Sequence, residues 1–140
     1  MVTALDIAKY VITKCTEENE PISNLQLQKI LYYVQYEFLQ CNTIAFDDDF
    51  EARQFGPVVP SVYKMFCGFG ALKIYQKYSM ENRLDKIEII DDVIVSKRKL
   101  AQWQLARDIH KTGYAWDSTY KNGLGNHKII SKDLIKTKGR

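Results

Sequence analysis

The stretch that most limits what this chain can become is SNLQLQKILYYVQYEFLQC, residues 23–41. Leu27, Leu31, Val34, Phe38 and Cys41 recur at steps of four and three, the spacing of one helical face, and Ser23 with Gln26 supplies a capping box at its start. Ile30, Tyr33 and Glu37 form a second row and Tyr32 and Tyr36 a third, so apolar or aromatic groups surround most of the helix. A helix apolar on nearly every side needs neighbours on nearly every side. Residues 23–41 are therefore expected at the centre of the domain, with the tyrosine hydroxyls finding partners at the edge of the core. Core packing explains these tyrosines better than a ligand role does.

Other elements follow from periodicity and punctuation. Thr3 and Asp6 form another capping-box pair, and Ala4, Leu5, Ala8, Val11, Ile12 and Cys15 then line one face of a helix over 4–15. A helix opens at Pro60 and ends by Gly68, and Leu84, Ile87, Ile90 and Val93 carry helical spacing through 83–95, where the density of β-branched residues keeps a strand open. Leu100, Trp103 and His110 mark a further helix, the aromatic-rich run 114–120 follows, and Ser131 caps a last helix to about Lys136, beyond which residues 137–140 are expected to fray. Thr43–Phe46 and Phe50–Phe55, separated by Asp47-Asp48-Asp49, suggest a small β-hairpin, and 71–78 suits an edge strand or an irregular connector. The expected fold class is mainly α (α+β), a compact bundle of about five to six helices around the Tyr-rich helix with a small β-hairpin or short sheet.

Between the central helix and the aromatic C-terminal part lies Glu51 to Tyr63, EARQFGPVVPSVY. Residues 51–55 alternate polar and apolar, Gly56-Pro57 breaks the run, and Pro60-Ser61 starts a helix, which reads as a strand-turn-helix corner. On an alternating strand Arg53 shares a face with Glu51 and Phe55. Buried Gly-Pro corners usually only shape a fold, and here the same corner also offers side chains for binding.

Composition narrows function by exclusion. A length of 140 residues, 46% hydrophobic and 26% charged, fits one globular domain over 1–140. The N-terminus lacks a signal-peptide pattern and no stretch approaches a membrane span, so a cytosolic protein with no membrane partner is expected. Cys15, Cys41 and Cys67 are odd in number and unpaired in spacing, which argues for reduced, partly buried thiols. No metal site is expected: His110 and His127 stand 17 residues apart without paired cysteines, and Asp47-Asp48-Asp49 lacks the spacing of a calcium loop. Gly68-Phe69-Gly70 follows a helix and lacks a third glycine, which rejects dinucleotide binding, and no cofactor is expected. Charge is divided: residues 1–96 carry 9 basic and 14 acidic side chains (−5), residues 97–140 carry 11 and 3 (+8). Such asymmetry serves an acidic partner, mutual attraction of the two halves, or a lysine-rich solvated surface.

Several short stretches taken together resemble the Panacea domain, the antitoxin family that includes SocA-like and phage-associated proteins. They are Ala8-Lys9-Tyr10, then Ile22-Ser23-Asn24-Leu25-Gln26-Leu27-Gln28-Lys29-Ile30-Leu31-Tyr32-Tyr33, then Phe46, Glu51-Ala52 and Phe55-Gly56-Pro57-Val58, and finally His110 with Trp116-Asp117. The resemblance implies a mainly helical domain encoded beside a toxic partner in a bacterium or prophage, neutralising a protein toxin from a neighbouring gene by direct binding. A cytosolic protease would join only if the chain acted as an adaptor, as the SocA branch does, and no residue here identifies that role.

Three functions compete at this level. A binding antitoxin needs a surface, for which Arg53, Phe55, Tyr63, Trp116 and Tyr120 are the anchor candidates, with Gly56, Pro57 and His110 holding the corner. The same physics would serve a phage-encoded protein that inhibits a host defence protein. An enzyme would need His110, Asp117 and Ser118 or Cys67 arranged around a nucleophile, or His110 with Glu37 as an acid-base pair, and no motif supports either, so no catalytic residue is assigned. A nucleic-acid-binding regulator would use Lys97, Arg98, Lys99, Arg107, Lys111, Lys121 and Lys128 beside Trp103, Trp116 and Tyr120, although these lysines are scattered and belong to no recognition helix.

Overall fold

The computed structural model describes residues 2–140. Among them are seven α-helices and one small antiparallel sheet, in the order α1 (Ala4–Glu17), α2 (Asn24–Gln40), β1 (Phe50–Arg53), β2 (Gly56–Val58), α3 (Pro60–Phe66), α4 (Ile87–Lys97), α5 (Gln102–Ile109), α6 (Ala115–Tyr120), β3 (Ile129–Ile130) and α7 (Lys132–Lys138). The class is mainly helical α+β, as the periodicity indicates. Both capping boxes form, Thr3 with Asp6 and Ser23 with Gln26.

Helix α2 is the axis. Helices α1, α3, α4, α5 and α7 and strand β2 all pack on it, and Leu27, Ile30, Leu31, Tyr32, Tyr33 and Val34 are completely or almost completely buried. The tyrosine hydroxyls reach backbone carbonyls at the rim: Tyr32 donates to Gly139 at 3.2 Å and Tyr33 to Leu105 at 3.4 Å. Burial extends to polar residues. Asn24, Gln26, Gln28, Lys29 and Gln35 are all buried, and buried polar groups hold their place only when hydrogen-bonded. Gln28 accepts from the Val59 amide at 3.0 Å and donates to Asn24, which donates to the Tyr63 carbonyl. Gln35 accepts from the Ala45 amide and donates to the Phe46 carbonyl, both at 2.8 Å. The segment from Ala45 to Tyr63 thus hangs on the side chains of one helix.

That arrangement corrects two expectations. Thr43–Phe46 forms no strand, because Gln35 takes the backbone groups that a ladder would have used. The hairpin lies further on: β1 pairs with β2 in the register Glu51 with Val58, Ala52 with Pro57 and Arg53 with Gly56. The chain reverses at Gln54-Phe55, one step before the Gly-Pro pair, with Gly56 at φ +122° taking the backbone conformation that a side chain would resist. The sheet order β2-β1-β3 leaves β2 on an edge, where Pro57 can do without an amide proton. Strand β3 adds a third member that the sequence did not announce, placing Ile129 opposite Glu51.

Two more differences have local causes. Helix α4 starts at Ile87, since Lys86 sits in the left-handed region at φ +51° and cannot extend the helix backwards. Residues 71–78 form the irregular connector of the two alternatives, tied to the core by the Ile22–Ile74 bridge and by hydrogen bonds to Thr13, Thr16 and Gln26. The C-terminus is docked where fraying was expected: α7 runs to Lys138, Gly139 receives the Tyr32 hydroxyl, and the Arg140 guanidinium lies 5.4 Å and 5.6 Å from the Tyr33 and Tyr36 rings.

The charge division is answered inside the fold. Arg98 pairs with Glu18 at 2.6 Å, Lys132 with Asp49 at 3.0 Å, Arg140 with Glu37 at 3.5 Å and Lys99 with Glu20 at 3.8 Å, each joining the basic C-terminal part to the acidic remainder. Cys15 is buried, Cys41 and Cys67 are exposed, and all three are free. No helix of the described residues is long and apolar enough to cross a membrane.

Candidate functional site

The outer face of the corner follows from strand alternation. Phe50 and Ala52 point into the core, so Glu51 and Arg53 point out. Arg53 donates to the Glu51 carboxylate at 2.9 Å and 3.3 Å, and its guanidinium lies 5.7 Å from the Tyr63 ring centre. Across the ladder from Glu51, Ile129 is 57% exposed, and at the hairpin tip Phe55 is 58% exposed. Large apolar groups and a braced arginine thus share one small region of surface.

The underside is unusual. Lys29 is completely buried, and its ammonium donates to the Phe55 carbonyl at 2.5 Å. Burial alone pushes its pKa down to about 8, because among the described residues no carboxylate offsets the desolvation. His110, the C-cap of α5, brings its buried Nε2 to the same place, beside the backbone of Phe55. Burial first, and the Lys29 charge second, push His110 down to about 4. Its ring stacks on Trp116 with centroids 3.9 Å apart, and Trp116 stacks on Tyr120 at 4.7 Å, one turn along α6. The Trp116 indole N–H donates to the Arg53 carbonyl at 2.8 Å.

The anchor candidates therefore fall into two groups. Arg53, Phe55 and Tyr63 gather on the outside of the corner. Trp116, at 8% exposure, lies behind it, with the half-buried Tyr120 stacked outside it. Gly56 and His110 meet directly: a Cβ on Gly56 would lie 3.1 Å from His110 Nε2 and 3.3 Å from Lys29 Nζ. Lys29, Gln28 and Ile129 were missed by sequence reasoning. A lysine in the middle of a helix apolar on every side was the available sign for the first, and the β-branched Ile129-Ile130 pair for the last.

Of the groups considered for catalysis, only Asp117 acts on His110, and the others have partners or places of their own. Glu37 pairs with Arg140, the Ser118 hydroxyl donates to the Gly113 carbonyl, Asp117 accepts from the Gly113 amide, and Cys67 lies exposed beyond α3. Among the basic residues, Arg98, Lys99 and Lys111 are ion-paired, Lys97 covers the Tyr33 ring, and Arg107 the exposed Trp103 ring.

His110 sets a pH dependence. Its folded pKa lies below its unfolded value of 6.5, so the unfolded chain binds more protons in between, and stability is lost as pH falls from about 6.5 towards 4. The melting temperature is expected to drop across that window in wild type and to drop less in His110→Gln. Equal slopes for the two proteins would refute the assignment.

What the fold defines is a mainly helical α+β domain in which one buried helix holds an exposed hairpin. The chain belongs to the SocA-like antitoxin family: the family model "Antitoxin SocA-like, Panacea domain" matches residues 27–117, a span that holds Lys29, the corner, His110 and Trp116. It is 30% identical to Antitoxin SocA of Caulobacter vibrioides over 140 residues, covering 90% of this chain and 74% of that protein. This kinship supports an antitoxin role. No solved structure matches the chain.

Proposed function

We propose that this chain is the antitoxin of a toxin–antitoxin pair, and that as a single domain it neutralises a toxin encoded by a neighbouring gene through direct, non-enzymatic contact. The β1–β2 hairpin is its binding edge. The observation that carries this is Phe55, an aromatic ring 58% exposed on a turn fixed from beneath by the core. Rigid apolar groups held in water are what interfaces use as anchors, and Arg and Tyr beside them are the residue types that most often dominate binding energy. Arg53, Tyr63 and Ile129 complete an edge able to occupy the centre of an interface of about 1,600 Å². Trp116 and Tyr120 support it from behind. The three free thiols favour the reducing cytoplasm as the place of action.

The test starts from the neighbouring reading frame, which should arrest growth when expressed alone and be silenced by co-expression of this chain. Arg53→Glu is expected to abolish most of that rescue while lowering stability by no more than about 1 kcal/mol, the scale of a half-exposed ion pair. A loss of thermal stability large enough to account for the lost rescue would make Arg53 a structural residue and sink its role at the edge.

A further inference from the structure

Beneath the Phe55 turn sits a charge with no counter-charge among the described residues. Burying an ammonium costs several kcal/mol unless partners compensate, and a methionine would fill much the same volume without that cost. Yet Lys29 stands there completely buried, and the one group it holds is the carbonyl of Phe55. The turn has reason to need holding. Neither Gln54 nor Phe55 adopts a positive φ, so the two-residue connection is not of the primed kind whose twist matches the flanking strands. Its carbonyls are instead fixed from outside the hairpin: Arg53 by the Trp116 indole, Phe55 by Lys29. The Lys29 ammonium and His110 Nε2 occupy the space that a side chain on Gly56, which closes the turn, would need.

We propose that Lys29 is a positioning residue for partner binding: from inside the core, its ammonium grips the carbonyl of the Phe55 turn and keeps that ring presented to a protein partner, with the His110 ring beside it on the same side of Gly56. This rests on the hairpin being the binding edge and adds how the edge is kept in order. A partner meeting a turn already fixed loses less conformational entropy on binding than one that must order it. The nearest analogue of Lys29 without its donor is Lys29→Met, which keeps the chain length and removes the grip.

Hydrogen exchange and affinity test this together. In Lys29→Met the amide of Gly56, which pairs with Arg53 across the turn, is expected to exchange about tenfold faster or more, the scale of one charge-assisted hydrogen bond, while amides within α1 and α2 keep their protection. Unchanged exchange at the turn would overturn the proposal. Against the toxin from the neighbouring gene, Lys29→Met should weaken binding about tenfold in the wild-type background and add nothing in a Phe55→Ala background, because both changes act through one ring. Equal losses in the two backgrounds would assign Lys29 to general stability and reject positioning. If Phe55→Ala weakens binding and Lys29→Met does not, the latch fails and the edge stands; if neither does, the edge itself is wrong. Should Lys29→Met not fold, the wild-type protein decides by NMR. Slowly exchanging Lys29 ammonium protons coupled through the hydrogen bond to the Phe55 carbonyl carbon are expected, and fast exchange without that coupling would overturn the assignment.

Discussion

Gly56→Ala is expected to lower stability by about 3 kcal/mol, the sum of forcing a side chain into a disfavoured backbone region and overpacking a filled site. Gly56 has φ +122°, and the added methyl group would meet His110 Nε2 at 3.1 Å and Lys29 Nζ at 3.3 Å. The tip of a lysine can usually swing aside, but here it is enclosed by the core and tied to Phe55. For a chain of this length the change corresponds to a melting temperature about 10 °C lower. Thermal unfolding followed by circular dichroism measures it directly. A decrease of under about 2 °C would mean that the corner yields easily and that Lys29 and His110 are not fixed in place.

Phe55→Ala should do the opposite, sparing the fold and removing function. More than half of the ring is exposed, so its truncation is expected to change stability by no more than about 0.5 kcal/mol. At the centre of an interface the same truncation costs about 2 kcal/mol or more, a loss of roughly thirtyfold in affinity. Titration against the purified toxin, with a melting curve on each protein, separates the two effects. Full affinity in Phe55→Ala would place the binding surface elsewhere on the molecule.

How much of this could be read from residues alone differs between parts of the chain. Helix α2 was readable because burial on all sides leaves a dense apolar signature, and its capping box and the one on α1 are local pairs visible at fixed spacing. The exact place of the hairpin was not, because it depends on Gln35 reaching across to Ala45 and Phe46 and on Gly56 adopting a positive φ, neither of which leaves a periodic trace. Strand β3 is only two residues long, too short for alternation to register, and exists through its pairing with β1. The docked C-terminus escaped for a similar reason: the partners of Gly139 and Arg140 lie on α2, about a hundred residues earlier.

At the site, the corner itself was visible as broken periodicity, and Arg53, Phe55 and Tyr63 were within reach of strand alternation and proximity. Lys29 was hidden by its setting. Its place among the apolar rows was the one sign, and only the burial of every side of α2, polar positions included, makes it an interior charge.

The row of polar side chains along α2 also has a temporal consequence. Asn24, Gln28, Lys29 and Gln35 leave the ribosome before Tyr63, Val59, Phe55 and Ala45, the backbone positions they fasten. The helix that measures out the hairpin is synthesised first, and the hairpin arrives into sites already spaced for it. His110 and Trp116 come later still, so the exposed turn gains its last supports only when the final third of the chain has been made.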